Sequence, residues 1–238
     1  MHLLAATPGG ISDGSEAIDL GQSPADIIVL SAADSELASI SEAYAKMGND
    51  APSLRLANIL NLGHNLSVDM YVESVIVGAK LVIVRLLGGQ SYWPYGVEQI
   101  SAVCSRSGIP LALLPGDDQP DAELVTLSTL DSQACHKLWQ YCVHGGPLNS
   151  QQFLYFAASI LDSKFKWLEP QPLLRAGVYK PGQGNVELGS LREGWLAGRP
   201  IVALVFYRAL VQGGNLKAVE ALTTGLQNVG FNVLPIFI

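Results

Sequence analysis

Residues 80–89 read KLVIVRLLGG. Leu81, Val82, Ile83 and Val84 form a continuous apolar run with a β-branched centre, and Gly88-Gly89 ends it. A run without polar alternation is the pattern of a strand covered on both faces, as in a parallel sheet flanked by helices. Three other stretches follow the same plan. ADIIVLSAAD (25–34) reads as a strand entering a helix over 35–47, and LRLANILNLGHN (54–65) as a strand and its exit loop. GIPLALLPGDD (108–118) reads as a fourth strand. Helices fill the gaps: one capped by Ser67 and running to about Ala79, another over about 94–107. Strands alternating with helices imply right-handed crossovers in an α/β fold with a doubly wound parallel sheet. The composition agrees, since 49% of residues are hydrophobic and only 15% charged, which suits a sheet buried on both sides.

Beyond Pro120 the pattern turns helical. Residues 131–144 predict a helix stopped by Gly145-Gly146-Pro147, and Asn149 with Gln152 three positions on predicts the start of another, to about Leu161. Residues 1–168 therefore read as an N-terminal α/β domain with a helical extension. Residues 169–199, rich in Pro and Gly, read as a linker, and residues 200–238 as the first part of a second α/β domain. There PIVALVFYRAL is a strand, NLKAVEALTTGLQNVG a helix capped by Asn215 and stopped by Gly230, and FNVLPIFI a last strand. HLLAAT near the start reads as an extra strand. A sheet ending on FNVLPIFI would carry an open apolar edge, so the sequence reads as the amino-terminal piece of a longer protein.

In an open parallel sheet, ligands bind beyond the carboxyl ends of the strands. The loop after the third strand, VRLLGGQSYWPYG, offers Arg85, Gly88, Gly89, Tyr92, Trp93 and Tyr95; the loop after the second offers His64 and Asn65. The glycines admit close backbone approach, the arginine pairs with carboxylates, and the aromatics supply flat faces with polar edges. Such a set suits a large planar molecule with carboxylate or amide arms. It equally suits packing, with Trp93 and Tyr95 holding a helix start on the sheet and Arg85 paired to Glu98. The second domain repeats the theme with Tyr207, Arg208, Gly213 and Gly214.

Several classes are excluded. The formal charge of -7, with no basic run, opposes nucleic-acid binding. No apolar stretch spans a bilayer and no signal-peptide pattern opens the chain, so a cytoplasmic protein is expected. GxxxxGK[ST], strand-linked GxGxxG, HExxH, GxSxG and paired CxxC motifs are absent, which removes a P-loop ATPase mechanism. Cys135 and Cys142, seven apart on one helix with His136 and His144 near, read as buried small apolar residues rather than a metal site.

The segments LGQSPADIIVLSAADSELA, RLLGGQSYWPYGVEQI, LLPGDDQPDAEL, GGPLNSQQFLYFAASIL and IVALVFYRALVQGGNLKAVEALTTGLQNVGFNVLPIF resemble the cobaltochelatase/magnesium-chelatase large-subunit family, in its amino-terminal part. AATPGGISDG and SYWPYG favour the cobalt branch over the magnesium-chelatase H-type branch. The resemblance implies a subunit that binds a corrinoid tetrapyrrole, hydrogenobyrinic acid a,c-diamide, and inserts Co(II) in aerobic cobalamin biosynthesis. It implies that ATP and Mg are bound by AAA+ partner subunits, and that this segment carries no cofactor and no assigned catalytic residue. The expected partners are the corrinoid, the ATPase subunits and the remainder of the same chain. A docking module for those partners is the competing reading. A two-lobed solute receptor also fits two α/β lobes, but a secretion signal is missing.

Overall fold

The computed structural model describes residues 16–238, so the strand read in HLLAAT lies outside them. Strands β1 (Ile27–Ser31), β2 (Leu54–Asn58), β3 (Leu81–Leu86) and β4 (Leu111–Pro115) form one sheet in the order β2-β1-β3-β4. All its pairings are parallel, with Ser31 opposite both Asn58 and Arg85. Helices α1 (Asp34–Tyr44), α2 (Asn65–Ser74) and α3 (Pro94–Ser107) make the crossovers. The strand order reverses between β1 and β3, which opens a crevice there at the carboxyl ends.

Alternation along the strands sends side chains to two cores. Ile28, Leu30, Val82, Val84 and Leu86 pack against Val68, Tyr71, Val97 and Ile100 of α2 and α3. Ile27, Val29, Leu81 and Ile83 pack against α1 and two further helices, α5 (Ser132–His144) and α6 (Gly146–Leu161), which follow a short α4 (Ala122–Leu127). The helical extension thus supplies half the sandwich. Asp131 caps α5, its carboxylate accepting from the Gln133 and Ala134 N–H groups at 2.9 and 3.1 Å. Asp131→Ala is expected to lower stability by about 1 kcal/mol in urea unfolding; an unchanged midpoint would refute the cap's role.

The segment 169–199 is not a linker. It contains β5 (Gly177–Lys180), β6 (Gly184–Val186) and α7 (Leu188–Arg192). The strands form a hairpin turned by residues 181–183; Gly182 in the turn and Gly184, which opens β6, hold φ of +75° and +80°. Glycine adopts that conformation without a Cβ penalty, so a Pro/Gly-rich stretch closes a hairpin here. β5 then pairs antiparallel with the final strand. The second sheet has the order β6-β5-β8-β7, from β7 (Ile201–Phe206), α8 (Arg208–Gln212), α9 (Lys217–Asn228) and β8 (Asn232–Phe237). β8 is therefore internal, and the edges are β6 and β7. One face packs Tyr179, Phe206 and Phe237 against Val211, Leu216 and Val219. The register puts Val178, Ile201, Ala203, Val205, Leu234 and Ile236 on the opposite face, where Ile201 and Val205 are 59% and 54% exposed.

Three expected helix starts move. His64, not Ser67, caps α2, because its Nδ1 accepts the Leu66 N–H at 3.1 Å while Ser67 is buried and accepts the Ile18 N–H. α6 begins at Gly146, since Asn149 is occupied with Gly145 O and with Gln171. α9 begins after Leu216 with no side-chain cap, so Asn215 does not serve. Among the described residues no helix is long and apolar enough to cross a membrane.

Candidate functional site

Leu81, Ile83 and Arg85 share one face of β3, the face covered by α1, α5 and α6. The guanidinium of Arg85 therefore enters the crevice between β1 and β3 rather than the aromatic loop. Glu36, in the first turn of α1, meets it as an ion pair with the Arg85 and Glu36 side chains 8% and 16% exposed. Arg85 Nε donates to the Pro115 carbonyl at 3.1 Å, and Ser31 Oγ donates to the other Glu36 oxygen at 2.7 Å. Burial works against the charge on Arg85, but Glu36 more than offsets it and holds the group above its ordinary value. The Cys142 thiol lies beside the pair; burial pushes it well up, Arg85 pulling the other way. It is a neutral thiol, not a thiolate nucleophile.

Above this pair lies a cleft of about 560 Å3. Ser31, Glu36, Arg85 and Gly116 form its floor, α1 one wall, and the end of α5 another. The second lobe closes it with Arg175, Arg208, Ala209 and Gly213. The lobes are tied there: Gln212 Nε2 donates to Val143 O at 2.7 Å, and a Cβ on Gly213 would stand 3.2 Å from Ser35 Cβ. Ser39 and Ser150 share a hydrogen bond of 2.8 Å that ties α1 to α6.

The residues singled out in the sequence divide into three groups. Arg85, Arg208 and Gly213 come together at the cleft, and Gly214 packs just behind, 3.6 Å from Ser39 Oγ by its Cβ position. Trp93, Tyr95, His64 and Asn65 lie on the α2/α3 side of the sheet and do not line the cleft. Trp93 is a core residue whose indole donates to Leu62 O at 2.9 Å. Tyr95 donates to Asp69 at 2.8 Å, and Asn65 is an exposed first residue of α2. Gly88 and Gly89, at φ +88° and +72°, make the turn after β3, and Tyr92 beyond it is 40% exposed. Tyr207 points outward, 69% exposed. The pairing of Arg85 with Glu98 is corrected to Glu36, because odd positions of β3 face α1 and Glu98 belongs to α3 on the other side.

Glu36 and Arg175 were missed, and His144 was weighed only as a neighbour of the two cysteines. Glu36 carried a signal: it follows the first strand, whose exit loop borders the switch point as the third strand's does. His144 and Arg175 reach the cleft only through the packing of α5 and the second lobe. With a floor neutralised by its own ion pair and charged and hydroxyl groups on the walls, the arrangement is equipped to bind and orient a ligand.

The CobN/Magnesium Chelatase family model matches residues 139–238. Two relatives match nearly the whole chain. The aerobic cobaltochelatase subunit CobN of Sinorhizobium sp is 44% identical over 100% of this chain and 19% of its own length. The protein of that name in Pseudomonas aeruginosa is 41% identical over 99% of this chain and 19% of its own length. In structure, the catalytic subunit of cobaltochelatase from Mycobacterium tuberculosis superposes with a TM-score of 0.66 and 26% identity, covering 89% of this chain and 16% of that one. The chain thus spans about a fifth of the length of the curated relatives it matches. The family match, those relatives and the shared α/β architecture agree with the sequence resemblance: residues 139–238 match the CobN/magnesium chelatase family, and the chain as a whole is similar to aerobic cobaltochelatase subunits named CobN.

Proposed function

We propose that this chain is the amino-terminal part of the tetrapyrrole-binding large subunit of an aerobic cobaltochelatase, and that its interlobe cleft receives the rim of the corrinoid hydrogenobyrinic acid a,c-diamide. The full subunit, a cytoplasmic ligase forming nitrogen–metal bonds, inserts Co(II) as substrate. AAA+ partner subunits bind Mg and hydrolyse ATP for it. The observation that carries the reading is the position of the cleft. It sits at the switch point of a parallel sheet, where such folds bind ligands, and its volume of about 560 Å3 is that of a small-molecule site. A macrocycle with its arms is larger than the cleft, so an edge enters and the remainder of the subunit covers the rest.

The test fills the cleft. Ala209 is exposed on α8 and lines the space. In the full-length subunit, Ala209→Trp is expected to weaken corrinoid binding at least about tenfold, roughly 1.4 kcal/mol, with the melting temperature held. Unchanged affinity would refute the cleft. A second reading, docking onto the rest of the subunit, is favoured by the uncovered apolar face of the second sheet, since parallel strands are ordinarily covered on both sides. It would be preferred if Ala209→Trp bound corrinoid normally while Val205→Glu, on that face, destabilised the full-length subunit and left the 238-residue chain unchanged.

A further inference from the structure

Three groups at the mouth of the cleft are not used by the Glu36–Arg85 pair. Arg208 is anchored from behind: its Nε donates to Leu174 O at 3.0 Å and one terminal nitrogen to Leu173 O at 3.1 Å. Its other terminal nitrogen has no protein acceptor among the described residues. Arg175, two residues before β5 and exposed, makes no ion pair or side-chain hydrogen bond among the described residues. The two guanidinium groups are near enough for Arg175 to lower the proton affinity of Arg208, although burial is the larger cause. On the facing wall, His144 ends α5 with its Nδ1 buried and unpartnered. Burial, and next the charge of Arg208, hold this imidazole below its ordinary value, so it is neutral near pH 7. Asp117 and Asp118 also line the cleft, and Asp118 attracts Arg208 more than Arg175 repels it, but neither carboxylate forms an ion pair with an arginine there; both accept from Gln119.

Two guanidinium groups without an ion-pair partner among the described residues converge there from the second lobe on an imidazole whose buried nitrogen is costly to leave unpartnered. In a chain of net charge -7 they also form the local exception that an anion requires. We infer that Arg175, Arg208 and His144 form a carboxylate subsite at the cleft mouth, which grips one acidic arm of the ligand and ties the two lobes through it. This rests on the cleft being the corrinoid site. The guanidinium of Arg208 presents its free N–H edge to one carboxylate oxygen and Arg175 to the other. His144 donates from Nδ1 in the corresponding tautomer. The subsite selects for charge, whereas the floor of the cleft is already neutralised by its own ion pair and selects for shape.

The experiment titrates the full-length subunit with hydrogenobyrinic acid a,c-diamide and with its fully esterified analogue, following tryptophan fluorescence. Arg175→Ala is the principal variant, because an exposed, unpaired side chain leaves the fold unaffected. It is expected to weaken binding of the free acid about tenfold, the scale of one charge-assisted hydrogen bond, and to leave the ester unchanged. Arg208→Gln, checked for an unaltered melting temperature, should do the same, and added salt should erode the wild-type preference for the acid. Equal affinity of the wild type for acid and ester, or Arg175→Ala binding the acid as the wild type does, would overturn the subsite. If Ala209→Trp still abolishes binding in that case, the subsite falls and the cleft stands; if Ala209→Trp is also silent, both fall.

Discussion

Glu36→Ala is expected to destabilise the first lobe by about 3–5 kcal/mol, because it strands a buried guanidinium. Arg85 is 7% exposed in the residue as a whole, and its other side-chain bond reaches only the Pro115 carbonyl. The attraction between the two charges offsets their desolvation only while both are present. Arg85→Ala should therefore lower stability by a similar amount, leaving the carboxylate of Glu36 with the hydroxyl of Ser31 alone. Of the two roles the sequence left open for Arg85, this is the packing one, with Glu36 in place of Glu98. The joint replacement Glu36→Leu with Arg85→Met should recover much of the loss, since an apolar pair of similar size avoids the desolvation cost. Urea unfolding of the chain measures all three. A change below about 1 kcal/mol for Glu36→Ala would place the pair among solvent-screened surface bridges.

Trp93→Ala should cost about 3–5 kcal/mol, the range for removing a large aromatic from a core. The ring is 7% exposed, packs with Val97 and Leu86 in the α2/α3 core, and holds Leu62 O through its indole N–H. Its seat depends on Gly96: a Cβ there would fall 2.0 to 2.3 Å from the ring carbons. Gly96→Ala must therefore displace the ring, with a cost of about 1–3 kcal/mol from overpacking. Trp93→Phe should keep most of the packing and leave corrinoid affinity unaltered. Loss of corrinoid affinity in Trp93→Phe, with stability preserved, would return the ring to the ligand.

The α/β plan was legible because buried parallel strands are written as apolar runs. KLVIVRLLGG, ADIIVLSAAD and GIPLALLPGDD each become a strand, and α3 occupies residues 94–107 as its spacing predicts. The hairpin in 177–186 was not legible. Its strands are three and four residues long and contain glycines, which signal a loop unless a neighbouring strand is known to be waiting. β8 is that neighbour, with Gly177 paired to Phe237 and Val178 to Ile236 from the far end of the second lobe's sequence.

The candidate site divides along the same line. Local sequence determined that an arginine and a glycine pair stand at the end of a buried strand, that Arg208 and Gly213 stand at the end of another, and which family the chain resembles. These follow from short-range pattern and from residue identity. Which face Arg85 takes was contained in the alternation of β3, but the partner on that face was not: it required α1 to return over the sheet and bring Glu36 across the switch point. The separation of Arg85 from Trp93, and the meeting of His144 with Arg208 and Arg175, were decided only by tertiary structure. A strand's two faces lead to different cores however close its residues are in sequence, and residues far apart in the chain meet only where packed layers and a second lobe put them.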